Sequence, residues 1–374
     1  MTTPALAPVG RGAHADAPWM RALNARLTRA VLDGMGLAAL PLRDYEPWTR
    51  ERPVFAGLHM GLGDVFLMAP IVRQLAERHG GLDVLLAANL AGRRYVPGLL
   101  GTERVRFFGR SGDLVRAAKG PAVALTLKPV PARARRGYVA AFGFEDAAPV
   151  DLDLPCVTLW RRMLELDETA SSVVRLTIAE DLRALAWRDL RRLGVRPQRG
   201  PLVAVQCGSA WAIKRYPDAL LTDLVGRLAA TAQVVLLGGA GEGGALRGPG
   251  VVDLRGRTTL EGSIALLSFA DLLVAPDSVL IHAAAALGIS TLAFFGPTAA
   301  RHWAAHYPRC HAIELPDAVC DRKPCGLSVD VETMERALPP GCEHGAQCIA
   351  AVPPVFVAAR AEKILEGRNA RWHP

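Results

Sequence analysis

The alternation of apolar and polar residues between Val252 and Thr298 predicts a repeated pattern of strands and helices. Leu272–Ala275 and Thr291–Phe295 are short apolar runs typical of buried strands, and the small-residue segment Leu280–Leu287 between them has helical spacing. An amphipathic helix precedes the first of these strands, and a Gly-Pro turn follows the second. Because buried strands alternate with helices, we predict an α/β fold with parallel sheets.

A second region of the same kind lies in the first half of the chain. Pro53–His59 predicts a buried strand, Val65–His79 an amphipathic helix and Asp83–Ala87 another strand. The alternation continues to a charged helix at Ala179–Leu193, after which Gly and Pro residues break the pattern and a new strand, Leu202–Gln206, begins. The predicted units are a disordered tail (1–18), two Rossmann-like domains (19–195 and 196–350) and a C-terminal helix (within 351–374).

Polar residues follow the strand at Leu272–Ala275 and precede the next helix. Asp277 and Ser278 stand there, and His282 lies on the first turn of the helix. Free backbone N–H groups and the helix dipole at such a position favour an anion, for example a diphosphate. The alternative is that Asp277 or Ser278 only caps the helix.

The first predicted strand runs directly into Gly61, Gly63 and Asp64. Gly-x-Gly is also part of the dinucleotide fingerprint, which would suggest a nucleotide-dependent oxidoreductase. The third glycine of that fingerprint is missing, and the Asp64 carboxylate would repel a pyrophosphate. Asp64 is therefore a candidate for acid–base chemistry, with helix capping as the alternative.

Composition and charge indicate which kinds of ligand or surface the protein is suited to bind. The formal net charge is +8, and it comes mainly from arginine, which suits phosphates, acidic sugars or an acidic membrane surface. Lys128 and Arg133 belong to a basic segment that could hold the phosphates or acidic sugars of a bound substrate, or could be a solvated loop. Trp19–Met35 predicts a basic helix that packs on the first domain or lies on a membrane. We expect no nucleic-acid partner, because no motif of that kind is present.

The targeting and cysteine patterns indicate the compartment. We find no apolar run long enough to cross a membrane and no signal-like start, so we expect a cytoplasmic protein with reduced thiols. The basic N-terminal helix leaves peripheral contact with the cytoplasmic face of the inner membrane as an alternative. Four cysteines cluster near the end of the second domain, and they predict either a zinc site or free, redox-labile thiols. They are Cys320, Cys325, Cys342 and Cys348.

Three motifs together resemble glycosyltransferase family 9, the heptosyltransferase-like enzymes. Asp277–Gly288 is similar to the family's D-(S/T)-G-x-x-H-x-A-A-A-L-G, with Val279 in place of glycine, and Phe295–Thr298 matches its F-G-P-T turn. Cys207–Pro217 is similar to its "PGAS…K.WP" segment, with Gly208, Ser209 and Lys214 in register. Val279 replaces a residue that lets the backbone approach nucleotide phosphates.

The resemblance implies a GT-B fold, in which an N-terminal acceptor domain and a C-terminal nucleotide-sugar domain face each other across a cleft. It implies an inverting transferase that needs no metal or other cofactor, with Asp64 as the base on a turn, Gly61 to Asp64, that faces the acceptor. Ser209, Lys214 and the groups around Asp277 would bind the donor, which is ADP-heptose by family precedent, and the acceptor would be a lipopolysaccharide or related glycan. The C-terminal helix would pack back on the first domain. The Val279 substitution also allows a non-catalytic protein that keeps the fold.

Overall fold

The computed structural model describes most of the chain from the first strand onward. The described residues are 54–58, 61–87, 91–108, 123–125, 140–142, 154–164, 166–209, 211–315, 320 and 346–366. Several predictions lie outside these ranges. They concern the tail 1–18, the helix Trp19–Met35, Lys128 and Arg133, and Cys325 and Cys342.

The described elements form two parallel sheets. The five-stranded first sheet has the order β3-β2-β1-β4-β5, and the six-stranded second sheet has the order β11-β10-β9-β6-β7-β8. The first contains β1 (Val54–Leu58), β2 (Asp83–Ala87), β3 (Val105–Phe108), β4 (Val123–Leu125) and β5 (Ala140–Phe142). The second contains β6 (Leu202–Gln206), β7 (Gln233–Leu237), β8 (Val251–Asp253), β9 (Leu272–Pro276), β10 (Ser290–Phe295) and β11 (Cys310–Glu314). In both sheets the strand order is that of a doubly wound Rossmann-like sheet.

Helices connect the parallel strands. They are α1 (Leu62–Arg78), α2 (Val96–Leu100), α3 (Cys156–Met163), α4 (Glu180–Arg192), α5 (Asp218–Ala229), α6 (Leu260–Leu267), α7 (Val279–Leu287), α8 (Ala300–Trp303), α9 (Gln347–Ala350) and α10 (Pro354–Leu365). Helix α7 ends where Gly288 adopts a left-handed conformation, φ 70°, which a glycine reaches without a steric cost. None of these described helices is long and apolar enough to cross a membrane.

The inner strands β6, β7, β9 and β10 of the second sheet are buried on both faces, which explains why they are largely apolar runs. Alternate residues of β6 enter two different clusters: Leu202 and Ala204 join one, and Val203 and Val205 join the other. The first cluster also contains the apolar faces of α1 and α7, which pack against each other. The two Rossmann-like units are thus joined through a shared core at this helix pair.

Two helices lie in places that the sequence analysis did not expect. Helix α10 packs on α5, β9 and β10, so the expectation that the C-terminal helix returns to the first domain is wrong for Pro354–Leu365. Helix α4 packs on α6, with Trp187 stacked on Phe269 at 5.2 Å between ring centroids. The chain has therefore already joined the second sheet's layer before the boundary placed near residue 195.

Candidate active site

The predicted site residues lie where the strand order of each sheet reverses. In the first sheet the reversal is between β1 and β4, and Asp64 follows β1; in the second it is between β6 and β9, which are followed by Ser209 and Asp277. Open parallel sheets bind ligands outside the carboxyl ends of their strands at these switch points. Helices α1 and α7 begin at the two switch points and pack on each other, so the two sets of residues share one region.

The turn after β1 is tighter than the sequence predicted. Helix α1 begins at Leu62 rather than Val65, with Gly61 as its N-cap residue. Asp64 occupies the third helical position, and its Oδ2 accepts a hydrogen bond of 2.6 Å from the Gly61 N–H. The capping role that was an alternative for Asp64 is therefore present. It also fixes the half-buried carboxylate on the first turn of the helix.

Asp277 is the centre of a buried polar cluster. Its Oδ2 accepts hydrogen bonds from Lys214 Nζ at 2.6 Å and from Thr298 Oγ1 at 2.7 Å, while its backbone oxygen accepts one from Ser209 Oγ at 3.3 Å. The side chains of Asp277 and Lys214 are only 8% and 15% exposed. The ends of β6, β9 and β10 thus meet at one carboxylate.

Lys214 keeps the buried Asp277 carboxyl ionised. Burial acts to raise the pKa of the Asp277 carboxyl, but the Lys214 ammonium and the two donors on Oδ2 hold that pKa below its usual range. Lys214 Nζ also lies 4.1 Å from the centroid of the Trp211 ring. Both contacts fix the ammonium at the end of β9, beside the start of α7.

The N-terminus of α7 presents backbone donors to this region. Ser278 is the N-cap residue, but its side chain does not cap the helix, because its hydroxyl donates to Gln206 Oε1 at 2.8 Å. The first N–H groups of α7 therefore have no side-chain acceptor from Ser278. An anion bound there would gain these donors and the positive end of the helix dipole.

Val279 does not disturb this helix start. It is the first helical residue, its φ is not positive, and its partly buried side chain packs against the core. A glycine is therefore not required by the backbone conformation at this position. The side chain adds core contacts, and the donors of the first turn keep their place in α7.

We expect Val279→Gly to lower stability without improving nucleotide binding. Lost packing and the greater flexibility of glycine should reduce the free energy of unfolding by about 1 kcal/mol, with nucleotide affinity unchanged within about threefold. Urea unfolding and calorimetric titration measure the two quantities. Val355→Gly is the matched control, because Val355 lies in the first turn of α10 but is 55% exposed. A large gain in affinity for Val279→Gly would show that the valine obstructs the anion site.

Gly63 and His282 join the two halves of the site. A Cβ atom on Gly63 would lie 3.3 Å from His282 Cδ2, 3.7 Å from His282 Nε2 and 3.7 Å from the Cα of Val279. A larger residue at Gly63 would press on the imidazole, so the glycine favours the close approach of the Asp64 turn to α7. The other edge of the ring contacts Tyr307, whose hydroxyl lies 2.8 Å from His282 Nδ1.

The His282 imidazole is neutral near pH 7. Burial lowers its pKa to about 4; Asp277 opposes that shift and Lys214 adds to it. Cys156, at the start of α3, lies near the same groups. Burial raises the pKa of its thiol well above the usual range, and the carboxylates of Asp64 and Asp277 add to that increase. Both side chains are therefore uncharged in the folded protein at neutral pH.

This histidine should make the fold sensitive to mild acid. Because the folded pKa of His282 is lower than its ordinary 6.5, the unfolded chain binds the proton more readily between about pH 6.5 and 4. Stability should fall as the pH falls through that window, by roughly 3 kcal/mol from this one group. Urea unfolding at several pH values measures the slope, which should be shallower in His282→Gln. An equal slope in both proteins would contradict the assignment.

Gly208 lies at the end of β6 under a second carboxylate. A Cβ atom at this position would overlap the carboxylate of Glu242, so a larger residue here would displace that carboxylate from its place. Glu242 Oε2 accepts a hydrogen bond of 2.7 Å from the Gly239 N–H, and Oε1 lies 3.6 Å from Arg215 Nη2. The loop after β7 thus places a carboxylate over the start of the predicted donor site.

The predicted residues divide into three groups. The structure brings together the turn containing Gly61, Gly63 and Asp64 with the start of α7, and it gathers Ser209, Lys214, Asp277, Ser278 and His282 at the strand ends. Lys128 and Arg133 lie outside the described residues. Cys320 and Cys348 are buried in the second core cluster. Within the described ranges, no group of three or more His, Cys, Asp or Glu side chains is placed to hold a metal, and the zinc hypothesis remains a prediction that needs Cys325 and Cys342.

Sequence reasoning assigned no role to several side chains that complete the site. Thr298 was noted only as part of a Gly-Pro-Thr turn, and its position after β10 is the signal that could have identified it. Trp211 lies in the segment similar to the family motif. Glu242 and Tyr307 follow no pattern that distinguishes them from other loop residues.

This architecture is similar to that of known glycosyltransferases. The model of glycosyltransferase family 9 (heptosyltransferase) matches residues 156–327. No match was found among curated proteins. The structure of E. coli ADP-heptose lipopolysaccharide heptosyltransferase II is 17% identical with a TM-score of 0.61, over 84% of this chain and 98% of that chain.

Two further solved structures have the same fold. A family 9 glycosyltransferase from Veillonella parvula is 18% identical with a TM-score of 0.58, over 87% of this chain and 99% of that chain. The E. coli heptosyltransferase TibC, a dodecameric iron-containing protein in complex with ADP-D-β-D-heptose, is 15% identical with a TM-score of 0.56, over 84% of this chain and 76% of that chain. The predicted GT-B fold is confirmed.

Proposed function

Because residues 156–327 match the model of glycosyltransferase family 9, we propose that this chain transfers a sugar from an ADP-linked donor, heptose by family precedent, to a lipopolysaccharide or related cell-envelope glycan. The observation that carries the proposal is the contact of the Gly63–Asp64 turn with the first turn of α7. This contact brings the turn that carries the Asp64 carboxylate against the helix start that would bind an anion. A transferase needs this pairing of a base and a leaving-group site.

The donor diphosphate is assigned to the start of α7. The uncapped N–H groups of the helix, the Ser209 hydroxyl and the Lys214 ammonium are the positive or hydrogen-bonding groups there. Asp277 holds Lys214 in place through the 2.6 Å contact and is therefore a positioning residue in this scheme. Preorganised donors of this kind stabilise the charge that grows on a departing diphosphate.

The nucleoside is assigned to the ends of β6 and β7. The Glu242 carboxylate lies over Gly208 and Gly238, where a ribose would pass between the two strands. An acidic side chain after the second strand of a Rossmann-like unit accepts hydrogen bonds from ribose hydroxyls. Glu242 occupies that position in the second sheet, because β7 is its second strand.

The proposed reaction is a single displacement with inversion. The Asp64 carboxylate accepts the proton of an acceptor hydroxyl, and the oxygen forms a bond to the anomeric carbon of the donor sugar. The bond from that carbon to the diphosphate oxygen breaks on the opposite face, and the nucleoside diphosphate leaves with the electron pair. Lys214 and the α7 donors stabilise its charge, so the chain's own groups supply what a divalent cation would otherwise provide. A lipid-linked acceptor would bring the chain to the cytoplasmic face of the inner membrane.

The test is a transfer assay with a panel of ADP-, GDP- and UDP-sugars, run in excess EDTA with a de-lipidated or short-chain core glycan as acceptor. We expect turnover with ADP-heptose, unchanged by EDTA, and a product whose anomeric configuration is opposite to that of the donor. Thermal stabilisation by ADP measures donor binding separately. Stabilisation without turnover for any acceptor would support the non-catalytic alternative, while restoration of activity only by a divalent cation would overturn metal independence.

A further inference from the structure

Tyr307 completes the environment of His282 from the side opposite Gly63. Its hydroxyl lies 2.8 Å from His282 Nδ1, and the two rings meet edge to face at 71° with centroids 5.6 Å apart. Tyr307 is itself only 5% exposed, and the His306 ring packs on it with centroids 4.0 Å apart. Its backbone is held as well, since its N–H donates to Ala304 O at 2.9 Å. The phenol is therefore a fixed partner for the imidazole.

The direction of this hydrogen bond follows from the requirement that the buried Tyr307 hydroxyl has an acceptor for its hydrogen. Burial raises the pKa of Tyr307 well above its usual value, so the hydroxyl keeps its hydrogen near neutral pH. Among the described residues, His282 Nδ1 is the acceptor available to that hydrogen. A buried O–H left without an acceptor costs about 1–3 kcal/mol, so Tyr307 donates and Nδ1 accepts. The neutral imidazole must then carry its own hydrogen on Nε2.

The Nε2 edge faces the place where the two halves of the site meet. Nε2 lies 3.7 Å from where a Gly63 Cβ would be, and the ring is within electrostatic range of Asp277 and Lys214. We infer that Tyr307 is a positioning residue that holds His282 as the Nε2–H tautomer, with this N–H directed at the donor's diphosphate. The inference rests on the proposed function only for the identity of the group that accepts this hydrogen bond. A neutral donor at this point stabilises the departing oxygen and, because it is uncharged, does not compete with Lys214 for Asp277.

The tautomer can be measured without turnover. Full-length protein labelled with ¹⁵N at its nine histidines should show, at pH 7, a neutral Nε2–H imidazole that is assigned to His282 because its signals disappear in His282→Gln. Tyr307→Phe removes only the hydroxyl, and in that variant the His282 signals should move toward the Nδ1–H form or a mixture. An Nδ1–H or charged His282 in the wild-type protein would overturn the inference, and this result needs no variant that might fold poorly.

Enzyme kinetics test whether the positioning of His282 by Tyr307 contributes to catalysis. Tyr307→Phe should lower kcat by about tenfold or more with the donor KM changed by less than about threefold, because a misplaced catalytic group affects the transition state more than binding. His282→Gln combined with Tyr307→Phe should be no slower than His282→Gln alone, since both changes remove the same donor. Additive losses in the double variant would show that Tyr307 acts independently of His282 and would overturn the positioning role.

Tyr216→Phe is the matched control. It removes another buried phenol hydroxyl, which donates to Val352 O inside the second core cluster and not to a group of the site. It should lower thermal stability much as Tyr307→Phe does while leaving kcat and the His282 signals unchanged. If the wild-type protein turns over no sugar nucleotide, that result counts against the proposed function. The tautomer measurement would still decide the inference about Tyr307.

Discussion

Asp64→Asn is expected to lower kcat by about 10² to 10⁴-fold, the range that a positioned general base contributes. The asparagine oxygen can still accept the hydrogen bond from the Gly61 N–H, which the carboxylate accepts at 2.6 Å, so the first turn of α1 should keep its shape. The amide cannot accept the acceptor's proton. Stabilisation by ADP should therefore persist in the variant while transfer is lost, as measured by thermal shift and by a product assay on the same preparation.

A matched control separates loss of the base from loss of negative charge. Glu77→Gln removes one carboxylate from the same helix at an exposed position and should leave kcat and ADP binding unchanged within about twofold. If Asp64→Asn retains near wild-type turnover, another group takes the proton and Asp64 serves only to cap α1. If ADP binding is lost as well, the α1 turn contributes to the donor site.

Much of the fold follows from the buried strands. β2 and β6 have the bounds predicted from the sequence, because a strand covered on both faces is a continuous apolar run. The start of α1 was placed three residues late. The glycines Gly61 and Gly63 do not favour a helix by propensity, but the helix begins between them, at Leu62, where the Asp64 carboxylate accepts a hydrogen bond from the N-cap residue Gly61.

The packing partners of the surface helices could not be predicted in the same way. An amphipathic pattern shows that one face of a helix is buried, but it does not show which sheet or helix covers that face. Helix α4 packs on α6, and its Trp187 stacks on Phe269 just after α6. Helix α10 packs on α5, and its Val357 and Ala361 lie in the second core cluster. Both contacts join segments far apart in the chain, and no local feature of either segment encodes them.

The sequence identified most residues of the candidate site, but it did not show which of them contact one another. Asp277 and Lys214 were both assigned to the donor from motifs, although the structure pairs them with each other, with Thr298 as a further donor to the same oxygen. Residues at the ends of parallel strands are identifiable because the fold gathers them at one edge. Tyr307 was missed because it follows the short helix α8 in a segment without periodicity, and its role depends on the three-dimensional approach of His282.

Asp277→Asn is expected to reduce both stability and turnover. The amide still accepts from Thr298 but leaves the Lys214 ammonium, 15% exposed, without its ion-pair partner. Breaking a buried pair in this way should lower the free energy of unfolding by about 3 kcal/mol, measured by urea unfolding at pH 7. Since the pair also fixes Lys214 beside the donor diphosphate, kcat should fall on the order of 100-fold.

The pH dependence adds a second check on Asp277. Its folded pKa lies below the ordinary 3.8, so the pair's contribution is fully present above that pH and is lost as the pH falls through the depressed folded value. Asp277→Asn should lack this acid-dependent part of the stability curve. The control Asp223→Asn breaks an exposed pair with Arg227, whose side chains are 48% and 43% exposed, and it should change stability by about 0.5 kcal/mol or less.

The double variant Lys214→Met with Asp277→Asn distinguishes a structural ion pair from a catalytic lysine. Removing both charges eliminates the unpaired buried ammonium, so stability should recover to within about 1 kcal/mol of the wild-type protein. Turnover should stay as low as in Lys214→Met alone, because the group that stabilises the departing diphosphate is still missing. Recovery of both stability and turnover would mean that Lys214 serves only to neutralise Asp277, and the charge on the leaving group would then have to be stabilised by the N–H groups of α7.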